Sequence, residues 1–199
     1  MEGVVEKDTQ RAISDFAQVH IDGELVRENI ARYIMLNKPA GYLSATEDPV
    51  HRTVMELIDI PQTLHIAGRL DRASTGLLIL TNDGKWSRLL TEPKENVPKV
   101  YLVETEKTIT AETSTKFAEG IYFAYEDLTT ASADIEILTN TQARLTIYEG
   151  RYHQVKRMFH AVGNRVISLH RESMGDIILD SSLQAGEYRE LTAAEINSI

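Results

Sequence analysis

The chain has 199 residues, 42% of them hydrophobic and 26% charged, enough to bury one sizeable core with at most a small appendage. It holds no run of about 18 apolar residues, no basic-then-apolar leader at its start and no cysteine, which argues against a membrane span, a secretory signal, disulfides and thiolate metal sites and fits a cytoplasmic protein. The net charge of −9 runs against a nucleic-acid partner in sum but not in distribution: Glu104 to Glu136 carries eight acids against Lys107 and Lys116, whereas Arg151 to Arg171 carries five bases, three histidines and no acid.

Residues 1–30 are too few for a domain of their own. They contain Val19-His20-Ile21-Asp22-Gly23-Glu24-Leu25-Val26, where an Asp-Gly turn between short arms predicts a hairpin, and they read as the end of something whose beginning is missing. Residues 31–199 form the main domain. Tyr33-Ile34-Met35-Leu36 predicts a buried strand stopped by Asn37-Lys38-Pro39-Ala40-Gly41. Thr53 to Ile60 predicts a short helix ending before Pro61. Leu77-Leu78-Ile79-Leu80 is a continuous apolar run, as in a strand covered on both faces, closed by Asn82-Asp83-Gly84, and a short helix follows through Trp86, Leu89 and Leu90.

Val100 to Val103 predicts a strand, and Thr110 to Ala118 a helix with Gly120 just past its end. Ile135 to Leu138 and Ala143 to Ile147 flank Thr139-Asn140-Thr141-Gln142 as a hairpin. Tyr152 to Val162 gives the clearest helical pattern, with Val155, Met158, Phe159 and Val162 on one stripe. Arg165 to Leu169 alternates as a strand, and Thr192 with Glu195 forms a capping box for a C-terminal helix. Many strands, few helices and hairpin connections indicate an α+β domain, a mixed and mostly antiparallel sheet flanked by helices.

The densest chemical signal is Gly68-Arg69-Leu70-Asp71-Arg72-Ala73-Ser74-Thr75-Gly76. In an extended segment Arg69 and Asp71 point to one face, and a guanidinium there would keep the carboxylate ionised and available as a nucleophile. The same spacing also suits an ordinary surface ion pair, which is worth little. On the predicted helix, Lys156, His160, His153 and Arg157 lie opposite the apolar stripe, with Lys156 at its border. That arc is equally a solvated face, and His153 and His160, seven apart with no carboxylate beside them, nominate no metal site. Tyr101 in Lys99-Val100-Tyr101 either fills core or stacks on a base. Lys38, on a tight loop, touches phosphate or is merely solvated.

Together these stretches resemble the RsuA-type pseudouridine synthases. Asn37-Lys38-Pro39-Ala40-Gly41, Gly68-Arg69-Leu70-Asp71 with Thr75-Gly76-Leu77-Leu78, Lys99-Val100-Tyr101, and Glu149-Gly150-Arg151-Tyr152-His153-Gln154-Val155-Lys156-Arg157-Met158 match four motifs of that family in order. Segment 150–159 and Leu169-His170-Arg171-Glu172 favour members acting on uridine-516 of 16S ribosomal RNA over those acting on 23S RNA. The resemblance implies a domain with the active cleft along the middle of its sheet and no cofactor or metal. Asp71 would be the catalytic aspartate, Tyr101 the ring stacked on the target base and later involved in proton removal, and Lys156 the basic partner of the aspartate. Arg69, Lys38, Arg72, Arg151, His153 and Arg157 would hold the RNA. The expected partner is 16S ribosomal RNA or a small-subunit assembly intermediate, bound by a monomer. Family members usually begin with a small basic RNA-binding domain, and residues 1–30 resemble only its final strands. The competing expectations are a large-subunit RNA synthase and a non-catalytic ribosomal-RNA-binding assembly factor.

Overall fold

A computed structural model describes residues 5, 7, 8, 10, 12, 13, 15–27 and 29–199. The chain separates into two units, Met1–Ala31 and Arg32–Ile199. In the first, β1 (Val19–Ile21) and β2 (Glu24–Arg27) form the expected antiparallel hairpin. Asp22 at φ 51° and Gly23 at φ 86° supply the two left-handed residues that a tight two-residue turn needs to match strand twist.

The second unit is built on a nine-stranded sheet. Its strands in chain order begin with β3 (Tyr33–Lys38), β4 (His65–Ala67) and β5 (Thr75–Thr81). Helix α1 (Gly84–Thr91) follows, capped by Asp83, whose carboxylate accepts from Lys85 N and Trp86 N. Then come β6 (Lys99–Thr105) and α2 (Ala111–Glu119). A small separate hairpin, β7 (Tyr122–Phe123) with β8 (Leu128–Thr129), precedes β9 (Asp134–Ile137) and β10 (Gln142–Ile147). Helix α3 (Gln154–Ala161), β11 (Val166–Met174), β12 (Ile177–Ile178), β13 (Tyr188–Glu190) and α4 (Ala193–Ile196) complete the chain. The segment expected as a helix at Thr53 is a single 3-10 turn, Val54–Leu57, with Glu56 accepting from Thr53 N.

The strand order β13-β3-β5-β11-β6-β10-β9 is antiparallel throughout except between β5 and β11. One edge of β5 is divided between two partners. Its start, Thr75 and Gly76, pairs with His170 and Arg171 of β11, while Ile79 to Thr81 pairs with β4. The segment 68–74, which joins β4 to β5, therefore lies where the sheet parts. The approach at its end is close: Gly76 sits at φ +100°, and a Cβ there would stand 2.3 Å from Arg171 O.

The apolar run in β5 is buried on both faces, as its sequence pattern requires. Leu78 and Leu80 join Ile34, Tyr101, Val103, Phe117, Val155, Met158 and Phe159 in one cluster, where the rings of Phe117 (α2) and Phe159 (α3) meet edge to face at 5.0 Å. Leu77 and Ile79 face the other cluster with Met35, Trp86, Leu90, Met174 and Leu191. No helix among the described residues is long and apolar enough to cross a membrane.

Candidate active site

The segment 68–74 carries Asp71, and its backbone is fastened from beneath. Ser44 Oγ accepts from Leu70 N at 3.1 Å and donates to Leu70 O at 2.8 Å. Lys38, the last residue of β3, is fully buried, and its ammonium donates to Pro39 O (3.0 Å), Asp71 O (3.2 Å), Arg72 O (3.3 Å) and Ser74 O (2.8 Å). Arg171 of β11 is buried as well; its Nε donates to Leu77 O at 2.8 Å and its Nη2 to Gly68 O at 2.8 Å. Two cations thus satisfy carbonyl groups that a tight, water-excluded loop cannot satisfy among themselves.

Burial lowers the Lys38 ammonium to about 8, opposed by the attraction of Asp71 and reinforced by Arg171 and Lys156. Lys99, at the start of β6, is likewise buried and lowered to about 8, by desolvation first and by the charge of Arg171 second.

Above this support the Asp71 carboxylate reaches into an open cleft of about 690 Å3. Its side chain is 24% exposed, with Lys156 Nζ 2.6 Å from Oδ2 and His153 Nε2 3.2 Å from Oδ1. The two partners come from the N-terminal end of α3. His153 adopts a left-handed conformation at φ 49° at the N-cap position, without a side-chain capping bond, and the helix begins at Gln154 rather than Tyr152. That turn sends its imidazole toward the carboxylate alongside Lys156. Tyr101, projecting from β6, is 7% exposed and forms part of the cleft wall, and among the described residues no hydrogen bond is formed by its hydroxyl.

The structure brings Arg69, Asp71, Tyr101, Arg72, Arg151, His153 and Lys156 to one cleft. The side chains that contact the Asp71 carboxylate are Lys156 and His153, not Arg69, which is exposed on the rim. Two expected RNA contacts are corrected. Lys38 cannot reach a phosphate, because it is sealed beneath the loop with its donors already engaged. Arg157 points away from the cleft, 3.7 Å over the Phe123 ring and paired with Glu126 at 2.8 Å.

Arg171 and Lys99 also line the cleft; both fall within segments quoted from the sequence, which gave them no role. Each stands two residues from a buried neighbour on its strand, Leu169 and Tyr101, and that alternation is the signal that places them inward. Among the described residues no group of three or more His, Cys, Asp or Glu side chains is placed to hold a metal ion.

A carboxylate held by an ammonium in an open cleft with an aromatic wall is an arrangement suited to covalent or acid–base work. Residues 32–161 match the family model described as RNA pseudouridylate synthase. The chain is 49% identical over 202 residues to the ribosomal small subunit pseudouridine synthase A of Pseudomonas aeruginosa, covering 100% of this chain and 88% of that protein. It is 50% identical over 184 residues to the protein of the same name from Escherichia coli K12, covering 91% and 80%. A solved structure titled as a pseudouridylate synthase superimposes with a TM-score of 0.82 at 43% identity, over 98% of this chain and 86% of that one. The chain belongs to the RNA pseudouridylate synthase family. It is an RNA pseudouridine synthase, an isomerase with the α+β fold of that family.

Proposed function

We propose that this enzyme converts one uridine of small-subunit ribosomal RNA, uridine-516 of the 16S molecule, to pseudouridine, with Asp71 as the carboxylate that acts on the ribose. The observation that carries the catalytic part is the 2.6 Å contact of Asp71 with Lys156 in an open cleft walled by Tyr101. The choice of RNA is supported by the two relatives named ribosomal small subunit pseudouridine synthase A, which are 49% and 50% identical over most of their length.

A stacked uracil does not expose its glycosidic bond, so the target nucleotide is extruded into the cleft, at a cost of a few kcal/mol that is smallest in a single-stranded loop. Asp71 acts at ribose C1′, or assists deprotonation at C2′. The N1–C1′ bond breaks, the base turns within the pocket, and a C5–C1′ bond forms as Asp71 is released from C1′ (or as the proton returns to C2′); C5 then loses its proton while N1 gains one, so that the product is an isomer of the substrate. Lys156 pairs with the carboxylate and aims it. Tyr101 stacks on the base and takes part in removing the C5 proton. Arg69, Arg72, Arg151 and His153 contact the RNA around the extruded nucleotide.

Residues 31–199 are the catalytic domain, and residues 1–30 resemble the final strands of an RNA-binding domain. The partner is 16S RNA, free or in a small-subunit assembly intermediate, and the enzyme acts as a monomer in the cytoplasm.

The test is to map pseudouridine in small-subunit RNA treated with the wild type and with Asp71→Asn. Wild type should modify one uridine, and Asp71→Asn should modify none while binding the RNA with similar affinity. Turnover by Asp71→Asn would refute the role of Asp71. Modification of large-subunit RNA alone would refute the choice of substrate.

A further inference from the structure

The residue just before His153 is a tyrosine that folding does not use. Tyr152 is 76% exposed, yet it lines the same cleft as Asp71. Its ring stacks on the His153 imidazole with centroids 3.9 Å apart and planes 20° from parallel, which leaves the opposite face of the ring open. Since His153 Nε2 is 3.2 Å from Asp71, the ring stands a single side chain away from the carboxylate.

The backbone around this ring is pinned. Arg157 Nη1 donates to Tyr152 O at 3.3 Å. On the preceding residue, Arg151 N donates to the side chain of the buried Gln154 at 3.0 Å, and Gln154 in turn donates to Glu149 at 2.8 Å. A ring presented by a fixed backbone loses little freedom when something stacks on it. Tyr125 offers the contrast: it is 96% exposed but does not line the cleft.

Tyr152 also borders an adjoining hollow of about 300 Å3, with Glu126, Glu149, Gly150 and Arg151. The two acids there are matched, Glu126 by Arg157 at 2.8 Å and Glu149 by Arg151 at 2.9 Å, so the hollow does not present uncompensated negative charge to a phosphate backbone.

We infer that Tyr152, backed by His153, is the stacking platform for the nucleobase next to the extruded uridine. The ligand is an unpaired base, purine or pyrimidine, because stacking on an aromatic face tolerates any base. The platform holds the RNA strand as it leaves the cleft and takes up stacking that the neighbour loses when the uridine is turned out. The inference rests on the reading of the cleft as the place that receives that uridine.

The experiment uses the full chain and an RNA fragment containing whichever uridine the wild type modifies, in either ribosomal RNA. Steady-state turnover is measured for wild type, Tyr152→Ala, Tyr152→Phe and Tyr152→Leu. Each acts on intact fragments and on fragments made abasic on the 5′ or the 3′ side of the target. Tyr152→Ala and Tyr152→Leu should raise KM by about five- to a hundredfold, the span that base–aromatic stacking supplies, with the loss falling on KM rather than kcat. Tyr152→Phe should restore wild-type KM. On one of the two abasic fragments wild type should already be weakened, and Tyr152→Ala should add nothing.

An unchanged KM in Tyr152→Ala, or the same added loss on both abasic fragments, would overturn the platform. A fall confined to kcat would instead show that Tyr152 only props His153 against Asp71, which also overturns it. Failure of the cleft reading appears separately, as turnover by Asp71→Asn on the same fragment.

Discussion

Lys156 Nζ lies 2.6 Å from Asp71 Oδ2, although 85 positions separate the two residues in the chain. The contact joins the segment between β4 and β5 to the first turn of α3, so the carboxylate is aimed by a helix on the far side of the cleft. Replacing Lys156 by Met keeps the length and apolar stem of the side chain and removes the charge. Turnover in Lys156→Met should fall by roughly 10²- to 10³-fold, the usual loss on deleting one aimed electrostatic partner. RNA affinity should change little, and Lys156→Arg should recover part of the rate. Single-turnover pseudouridine formation checks this, and a Met variant as fast as wild type would remove Lys156 from the machinery.

Tyr101 is buried by its ring but has no hydrogen-bond partner for its hydroxyl among the described residues. Tyr101→Phe therefore keeps the packing against the cluster that holds Leu145 and Val155, and thermal stability should shift by less than about 1 kcal/mol. The final proton removal should slow, so that substrate labelled with tritium at C5 releases the label more slowly. Equal rates for Tyr101→Phe and wild type would leave the phenol as packing alone.

Lys38 donates to four carbonyl groups and to no carboxylate. Lys38→Met strands those acceptors in a site closed to water, which costs on the order of 2–4 kcal/mol. Urea unfolding with an unchanged slope should register that loss. Activity should drop with it, because the Asp71 segment rests on this ammonium. A variant as stable as wild type would show that other donors can replace it.

The elements that announced themselves in sequence were those with a strong local period. The double-faced run Leu77 to Leu80, the stripe of α3 and the Asp22-Gly23 turn all stand as their patterns require. The parallel pairing of β5 with β11 was not legible, since it brings Thr75 beside His170 across 95 positions with no local mark at either end. The short strands β4, β7, β8, β12 and β13, at two or three residues each, are too brief to show a period of two. In the site, Lys156 and Arg157 are adjacent and alike, and only 100° of helix rotation sends one to Asp71 and the other to Glu126. Lys38 looked like a loop lysine because Pro39 follows it. Its place two residues after Leu36 and four after Ile34, both fully buried, is the clue that it points inward.

Gly76→Ala should be far more damaging than a methyl group usually is. The added Cβ would stand 2.3 Å from Arg171 O and 2.7 Å from Arg171 N, both backbone atoms of the paired strand, at a φ of +100° that L residues seldom adopt. Relief requires β5 and β11 to part at the point where Arg171 and Lys38 fasten the Asp71 segment. A loss above about 3 kcal/mol is expected, with the variant recovered poorly or in an inactive form. An active, normally stable Gly76→Ala enzyme would mean that the two strands can separate there at little cost.

Acid should weaken the anchoring of the C-terminal helix through one carboxylate. Hydrogen bonds from Arg189 lower Glu195 to about 2, and the Thr192 backbone and hydroxyl add to this against the cost of burial. Well above the ordinary value of 4.5 the carboxylate is ionised whether the chain is folded or not, and its contribution is complete. As pH falls from there toward 2, the unfolded chain takes up a proton that the folded chain refuses, so stability is lost across that window. The group is near the surface, which limits its worth to about 1 kcal/mol at neutral pH. Glu195→Gln should therefore melt below wild type at pH 7, and the gap should close steadily as the solution is taken from pH 5 down to the acid limit. A gap as wide in acid as at pH 7 would assign the effect to packing of the side chain rather than to its charge.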